Sequence, residues 1–241
     1  MRIYAHRGAS GFYPENTMVA FDQALKAKSD GIELDIQLSK DGHVVIIHDE
    51  RVDRTTDGSG RVCDYTLAEL KRFNAAKTWK DGSEFHPIPS FDEYCAWVRT
   101  TNLVTNIEIK SGIIYYPQLE EKMLALIKAH KIEDRVLISS FNHLSLLETK
   151  RLSPSLPCGA LVPESGLVNA GYAIKHFGFD CYHPAYVSID QAKVAECHEH
   201  GIAVNVWTVN TMEALENCRR WGCDGIFTNY PTVARAYVDS L

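Results

Sequence analysis

The architecture can be worked out from Gly31-Ile32-Glu33-Leu34-Asp35-Ile36-Gln37-Leu38. Ile32, Leu34, Ile36 and Leu38 alternate with Glu33, Asp35 and Gln37, the period of a strand whose successive side chains face opposite ways. The apolar set can pack beneath helices. Glu33 and Asp35 then share the other face, and two unpaired anions that close need a cation or raise each other's pKa. Carboxylate oxygens suit hard divalent cations. The same alternation would fit an ordinary antiparallel strand with one wet face, so the flanking segments have to decide.

Upstream, Arg2-Ile3-Tyr4-Ala5 reads as a short strand, and His6 to Gly11 as a glycine-containing loop. Pro14-Glu15-Asn16-Thr17 opens a helix, with Asn16 or Thr17 as its cap. Downstream, Val44 to Asp49 reads as a further strand in a hairpin with the first stretch, Asp41-Gly42 at the tip. Residues 51–89 break this rhythm. They are expected to form a small insertion over one end of the main body, too short to bury a core of its own.

Beyond Ser90, strands are predicted over 103–110, 135–139, 158–162, 179–182, 202–208 and 225–228. Helices are predicted over 91–99, 116–130, 142–152, 168–176, 189–200, 211–221 and 232–240. Together with the first two strands this makes eight strand–helix units on short connections. The pattern argues for one α/β domain over 1–241, a closed parallel TIM (β/α)8 barrel. An open doubly wound sheet would more naturally carry a glycine-rich phosphate loop, and the chain has neither a GxGxxG nor a Walker motif.

The chain has 241 residues, 45% hydrophobic and 23% charged, which is enough for a sizeable core. Its formal charge of -6 leaves no footprint for nucleic acid. A local cationic site could still take a small phosphorylated substrate. The seven cysteines are odd in number, scattered and without a CxxC pair, as expected of free thiols in a reducing compartment. No leader-like segment precedes the first strand and no apolar run is long enough to span a membrane. A cytoplasmic protein without stable membrane insertion is therefore expected.

In such a barrel the chemistry sits at the carboxyl ends of the strands. His6 and Arg7 end the first strand, Glu33 and Asp35 lie on the second, and His48 ends the hairpin. Glu108 and Lys110 follow on the strand over 103–110, while Phe141, His183, Trp207 and Asn229 end later ones. Glu33, Asp35 and Glu108 supply oxygen donors for Mg2+ or Ca2+. His6 and His48 can act as an acid–base pair. Arg7 and Lys110 are donors suited to a phosphate, and Phe141 and Trp207 can wall a substrate pocket. Cations, a metal, an acid and a base together describe phosphoryl transfer better than acyl or hydride transfer. His43, His86, His130, His143, His176, His198 and His200 are expected to be structural.

His6-Arg7-Gly8, Pro14-Glu15-Asn16-Thr17, Glu33-Leu34-Asp35, His48-Asp49, the run Arg54 to Gly60, and Glu108-Ile109-Lys110 resemble the glycerophosphodiester phosphodiesterase family. The resemblance continues through Ser139-Ser140-Phe141, Val206-Trp207-Thr208 and Thr228-Asn229-Tyr230-Pro231, and so spans the chain. It implies a TIM barrel with a small insertion and a divalent cation on Glu33, Asp35 and Glu108. It also implies acid–base roles for His6 and His48 and phosphate contacts for Arg7 and Lys110. The implied substrate is a small glycerophosphodiester, cleaved to glycerol 3-phosphate and an alcohol by attack of the neighbouring glycerol hydroxyl, then of water on the cyclic phosphate. The family commonly carries Asp where this chain has Asn229, which puts a charged role there in question. Two other readings stand beside it: a phospholipase-type phosphodiesterase acting on lipid headgroups, and a catalytically dead barrel that binds a phosphodiester. Degenerate barrels would be expected to lose a histidine or an acidic ligand, and here His6, His48, Glu33, Asp35 and Glu108 are all present.

Overall fold

The computed structural model describes residues 1–80 and 84–240. Parallel strands β1 (Arg2–His6), β2 (Gly31–Leu38), β4 (Val104–Ile109), β5 (Val136–Ser140), β6 (Cys158–Leu161), β7 (Cys181–His183), β8 (Ala203–Val206) and β9 (Gly225–Thr228) form the sheet. β1 pairs with both β9 and β2, so the sheet closes into a TIM barrel. β3 (Val44–Ile46) lies outside the barrel, antiparallel to β2. Helices α1 (Met18–Lys26), α3 (Phe91–Val98), α4 (Leu119–His130), α5 (His143–Leu152), α6 (Ala170–His176), α7 (Gln191–Glu199), α8 (Met212–Trp221) and α9 (Pro231–Asp239) surround it, and α2 (Leu67–Leu70) lies in the insertion.

Strand alternation sorts the side chains. Ile32, Leu34 and Ile36 of β2 are fully buried in the layer between barrel and helices. Burial of each such side chain stabilises the fold by roughly 1.5–3 kcal/mol. Glu33 and Asp35 face inward, in register with His6 and Asn106 and with Glu108 respectively. Inside the barrel, bulk on one strand is matched by glycine on the next. A Cβ at Gly159 would lie 2.3 Å from His183 Nε2, and one at Gly31 would meet the Tyr4 ring at 2.6 Å.

The helices start where their caps allow. Thr17 caps α1 by accepting from Ala20 N–H, while Ser90 and Glu93 form a reciprocal capping box at α3. α4 and α6 begin later than the sequence expectation, at Leu119 rather than 116 and at Ala170 rather than 168. The residues before them, Gln118 and Asn169, have φ of 66° and 50°, which cannot belong to a right-handed helix. The strand expected over 179–182 is instead Cys181–His183, because Phe179 N–H closes the end of α6 on Ile174 O.

The insertion requires one correction. Val44 and Ile46 join the main core, so alternation sends Val45 and Ile47 outward. Val52, Val62, Leu70, Ala75 and Ile88 pack on that outward pair in a second apolar cluster. The insertion therefore does bury a small core, with Val45 and Ile47, two of its seven buried residues, borrowed from the hairpin. Residues 81–83, inside the expected span 51–89, and residue 241 lie outside the described residues. No described helix is long and apolar enough to cross a membrane.

Candidate active site

The carboxyl ends of the strands enclose a cavity of about 170 Å3, lined in part by His6, Arg7, Glu33, His48, Glu108, Phe141 and Trp207. Its floor holds Asn106, whose Nδ2 donates to Ser139 Oγ at 2.8 Å. Phe141 and Trp207 meet edge to face, 5.7 Å between ring centroids, and form one apolar wall.

Glu33, Asp35 and Glu108 each bring an oxygen within 4.8 Å of the others. One oxygen of each is held by a donor. Arg7 N–H donates to Glu33 Oε2 at 2.8 Å, Asn16 Nδ2 to Asp35 Oδ2 at 2.8 Å, and Lys110 Nζ to Glu108 Oε1 at 2.8 Å. Glu33 Oε1 and Asp35 Oδ1 are buried without a hydrogen bond, and Lys110 Nζ stands 3.9 Å from the latter. Buried carboxylate oxygens without a hydrogen bond are costly unless a cation takes them. The set fits a hard divalent cation such as Mg2+ or Ca2+.

The electrostatics agree with this. Burial, with Asp35 and Glu108 adding repulsion, holds Glu33 well above the usual carboxylate range. Burial and Asp35 also raise Glu108. Burial would raise Asp35 too, but Arg7, His48 and Lys110 outweigh it and the group is lowered. In the protein alone, the three anions are not mutually satisfied.

The histidines flank this cluster. His6 donates Nδ1–H to Asn229 Oδ1 at 2.7 Å, which turns Nε2 toward Glu33 Oε2, 4.0 Å away. The ring lines the cavity and is largely shielded from solvent. Loss of solvation there and the neighbouring Arg7 lower its pKa to about 4, although 18% of the side chain is accessible. His48 donates Nδ1–H to Asp49 Oδ1 at 2.7 Å, leaving Nε2 3.2 Å from Lys110 Nζ. Both rings thus have Nδ1 fixed and present Nε2 to the cluster, where that of His48 accepts from Lys110 Nζ. Burial would raise Asp49, but hydrogen bonds from Arg54 and His48 outweigh it and hold it at about 2.

The structure thus brings His6, His48, Glu33, Glu108, Arg7, Phe141 and Trp207 to one cavity, with Asp35 buried beside Glu33 and Glu108. Arg7 is largely committed to carboxylates, with Nη1 2.9 Å from Glu15 Oε1 and Nε 3.5 Å from Asp35 Oδ2. Lys110 stands behind Glu108 and opens onto an adjacent cavity instead. His183 is buried in the barrel, its Nε2 3.0 Å from Asn205 Nδ2 and its ring against Phe227, and it does not line the main cavity. His143 and His198 meet Leu161 O and Asp224 Oδ2, at 2.8 and 2.9 Å.

Sequence reasoning missed a supporting layer. Glu15 bridges Arg7 and Arg54, and Arg54 in turn grips Asp49 through Nε at 2.7 Å. Asn16 has φ of 54°, and its amide goes to Asp35 rather than capping α1. The block Pro14 to Thr17 was a visible signal, but a helix start accounts for the same residues.

The family model of the glycerophosphoryl diester phosphodiesterase family matches residues 6–233. The chain is 43% identical over 229 residues to a glycerophosphodiester phosphodiesterase of Caldanaerobacter subterraneus subsp. tengcongensis, covering 95% of this chain and 94% of that one. It is 39% identical over 233 residues to a protein of the same name from Bacillus altitudinis, covering 95% of each. Among solved structures it is similar to an Oleispira antarctica phosphodiesterase in complex with the product sn-glycerol-3-phosphate. That match has a TM-score of 0.90 and 29% identity, over 99% of this chain and 97% of the other. A glycerophosphodiester phosphodiesterase from Thermotoga maritima matches with a TM-score of 0.76 and 27% identity, over 100% and 98%. On fold, matched length and identity alike, this chain belongs to the glycerophosphoryl diester phosphodiesterase family.

Proposed function

We propose that the protein hydrolyses small glycerophosphodiesters to glycerol 3-phosphate and an alcohol, with a divalent cation on Glu33, Asp35 and Glu108 and with His6 and His48 as acid and base. The observation that carries this is the convergence of three carboxylates, two with an orphaned oxygen, between two imidazoles whose Nδ1 atoms are both occupied. The product bound to the Oleispira relative supports the substrate class.

A bound cation would supply charge neutralisation and Lewis-acid polarisation of a phosphoryl oxygen. The rest falls to the chain itself. One histidine takes the proton of the neighbouring glycerol hydroxyl as it attacks phosphorus, and the other protonates the departing alcohol at its oxygen. Water then opens the cyclic phosphate with the two roles exchanged. Asp49 and Asn229 hold the rings in the orientation that points each Nε2 at the carboxylate cluster, and the hydrogen bond from Lys110 to His48 Nε2 has to give way when that ring takes or gives a proton. Phe141 and Trp207 exclude water from one side of the cavity, which strengthens charge interactions inside.

The test is release of glycerol 3-phosphate from glycerophosphocholine in the presence of Mg2+ or Ca2+, compared with choline release from phosphatidylcholine vesicles. Turnover of the water-soluble diester supports the proposal. Turnover of the vesicles alone would assign the barrel to lipid headgroup cleavage, and binding without turnover of either would leave a phosphodiester-binding barrel.

A further inference from the structure

A second cavity, of about 210 Å3, adjoins the first and shares Glu108 and Phe141 with it. Glu50, Lys110 and Ile113 are among the residues that line the remainder. Most of its polar groups are engaged. Lys110 Nζ is held by Glu108 Oε1 at 2.8 Å, and Asn142 accepts from Leu144 N–H and donates to Ser111.

Glu50 differs from them. Its carboxylate has no hydrogen bond or ion pair among the described residues. Its backbone is nevertheless fixed, because Glu50 O accepts from Val62 N–H at 2.9 Å and the next residue, Arg51, bridges to Arg61. Glu50 follows His48-Asp49 directly, so the segment that presents one imidazole also presents this carboxylate.

A diester with its phosphorus between the histidines must send its two arms in different directions. The first cavity holds one. The adjoining cavity, reached past Phe141, is open to the other. Lys110 Nζ lies 6.0 Å from the Phe141 ring centroid, but its charge is met by Glu108 and Asp35, so Glu50 carries the unpaired charge of the lining. That carboxylate, the aromatic ring and an aliphatic wall at Ile113, with few free hydrogen-bonding groups, suit a methyl-clad cation better than a polyol.

We infer that this adjoining cavity is the subsite for the departing alcohol, and that Glu50 and Phe141 select an alcohol bearing a quaternary ammonium group. The inference rests on the phosphodiesterase activity proposed above. It deepens that proposal by naming the headgroup class.

The experiment measures kcat/KM for glycerophosphocholine and for the uncharged-headgroup diester glycerophosphoglycerol, in wild type, Glu50→Gln and Glu50→Lys. The ratio of the two values cancels any difference in the fraction of folded enzyme. Losing a half-exposed charge partner should lower the choline-to-glycerol ratio about threefold in Glu50→Gln. A like charge should lower it about tenfold in Glu50→Lys. A ratio unchanged in both variants would overturn the assignment of Glu50. Failure of the wild type to release glycerol 3-phosphate from either diester would instead overturn the activity beneath it, and the subsite with it.

Discussion

His48 Nδ1 lies 2.7 Å from Asp49 Oδ1, and that contact fixes which nitrogen of the ring faces the reaction cavity. Asp49 is itself clamped by Arg54, which is clamped by Glu15, which also holds Arg7. Asp49→Asn would keep the volume but allow the amide nitrogen to face His48. We expect kcat to fall about ten- to a hundredfold with a smaller change in KM. A variant with wild-type kcat would show that this contact does not orient the ring for chemistry.

His6→Ala and His48→Ala should each lose at least about a hundredfold in kcat/KM. Both sit at the functional end of the barrel and both are partly accessible, so thermal unfolding should shift by only a few degrees. Near-normal rates in either variant would remove that histidine from the acid–base pair.

The carboxylate cluster also predicts a pH dependence of stability. Glu33 is held well above its ordinary value of 4.5, so the metal-free folded state keeps a proton that the unfolded chain has released. Its contribution to stability therefore falls as pH rises above about 4.5 toward the folded value. His6 acts in the opposite sense. Its pKa is lowered from 6.5 to about 4, so its contribution is present above 6.5 and lost as pH falls. Comparing Glu33→Gln with wild type isolates the glutamate. In metal-free buffer the variant should gain Tm over wild type, and gain more at pH 8 than at pH 5. An equal difference at both pH values would contradict the raised pKa.

Gly8 has φ of 82°, and a Cβ there would stand 2.7 Å from the backbone carbon and Cβ of Ala20. Neither obstacle is a flexible side-chain end. Gly8→Ala should therefore cost about 2 kcal/mol or more, measured as a lower urea midpoint at unchanged slope. It should also reduce turnover, because the turn carries His6 and Arg7 into the cavity. Wild-type stability would mean that the loop relaxes freely.

Much of this was legible in the sequence, for identifiable reasons. Strand period alone sends Glu33 and Asp35 to the face opposite Ile32, Leu34 and Ile36, and the barrel rule places His6 and Glu108 at the same rim. Contacts made across the chain were not legible. Glu15 reaches Arg54, 39 residues away, through a salt bridge that no local pattern encodes. Asn229 meets His6 across 223 residues because β9 pairs with β1, which closes the barrel. Asn16 looked like a cap because Asn and Thr compete for that position, and only the left-handed backbone at Asn16 shows that Thr17 prevailed. His183 ends a strand and so looked available, but Gly159 opposite leaves it room to turn into the interior.

Glycerol 3-phosphate release by exhaustively chelated enzyme, followed by Mg2+ or Ca2+ titration, in wild type and Glu108→Gln, tests the cation site itself. Convergence of Glu33, Asp35 and Glu108 on one cation predicts an inert chelated enzyme. Wild type should regain activity and gain Tm as metal is added, and Glu108→Gln should need at least about tenfold more metal for both. Undiminished turnover after complete chelation, or identical metal dependence in the two proteins, would contradict it.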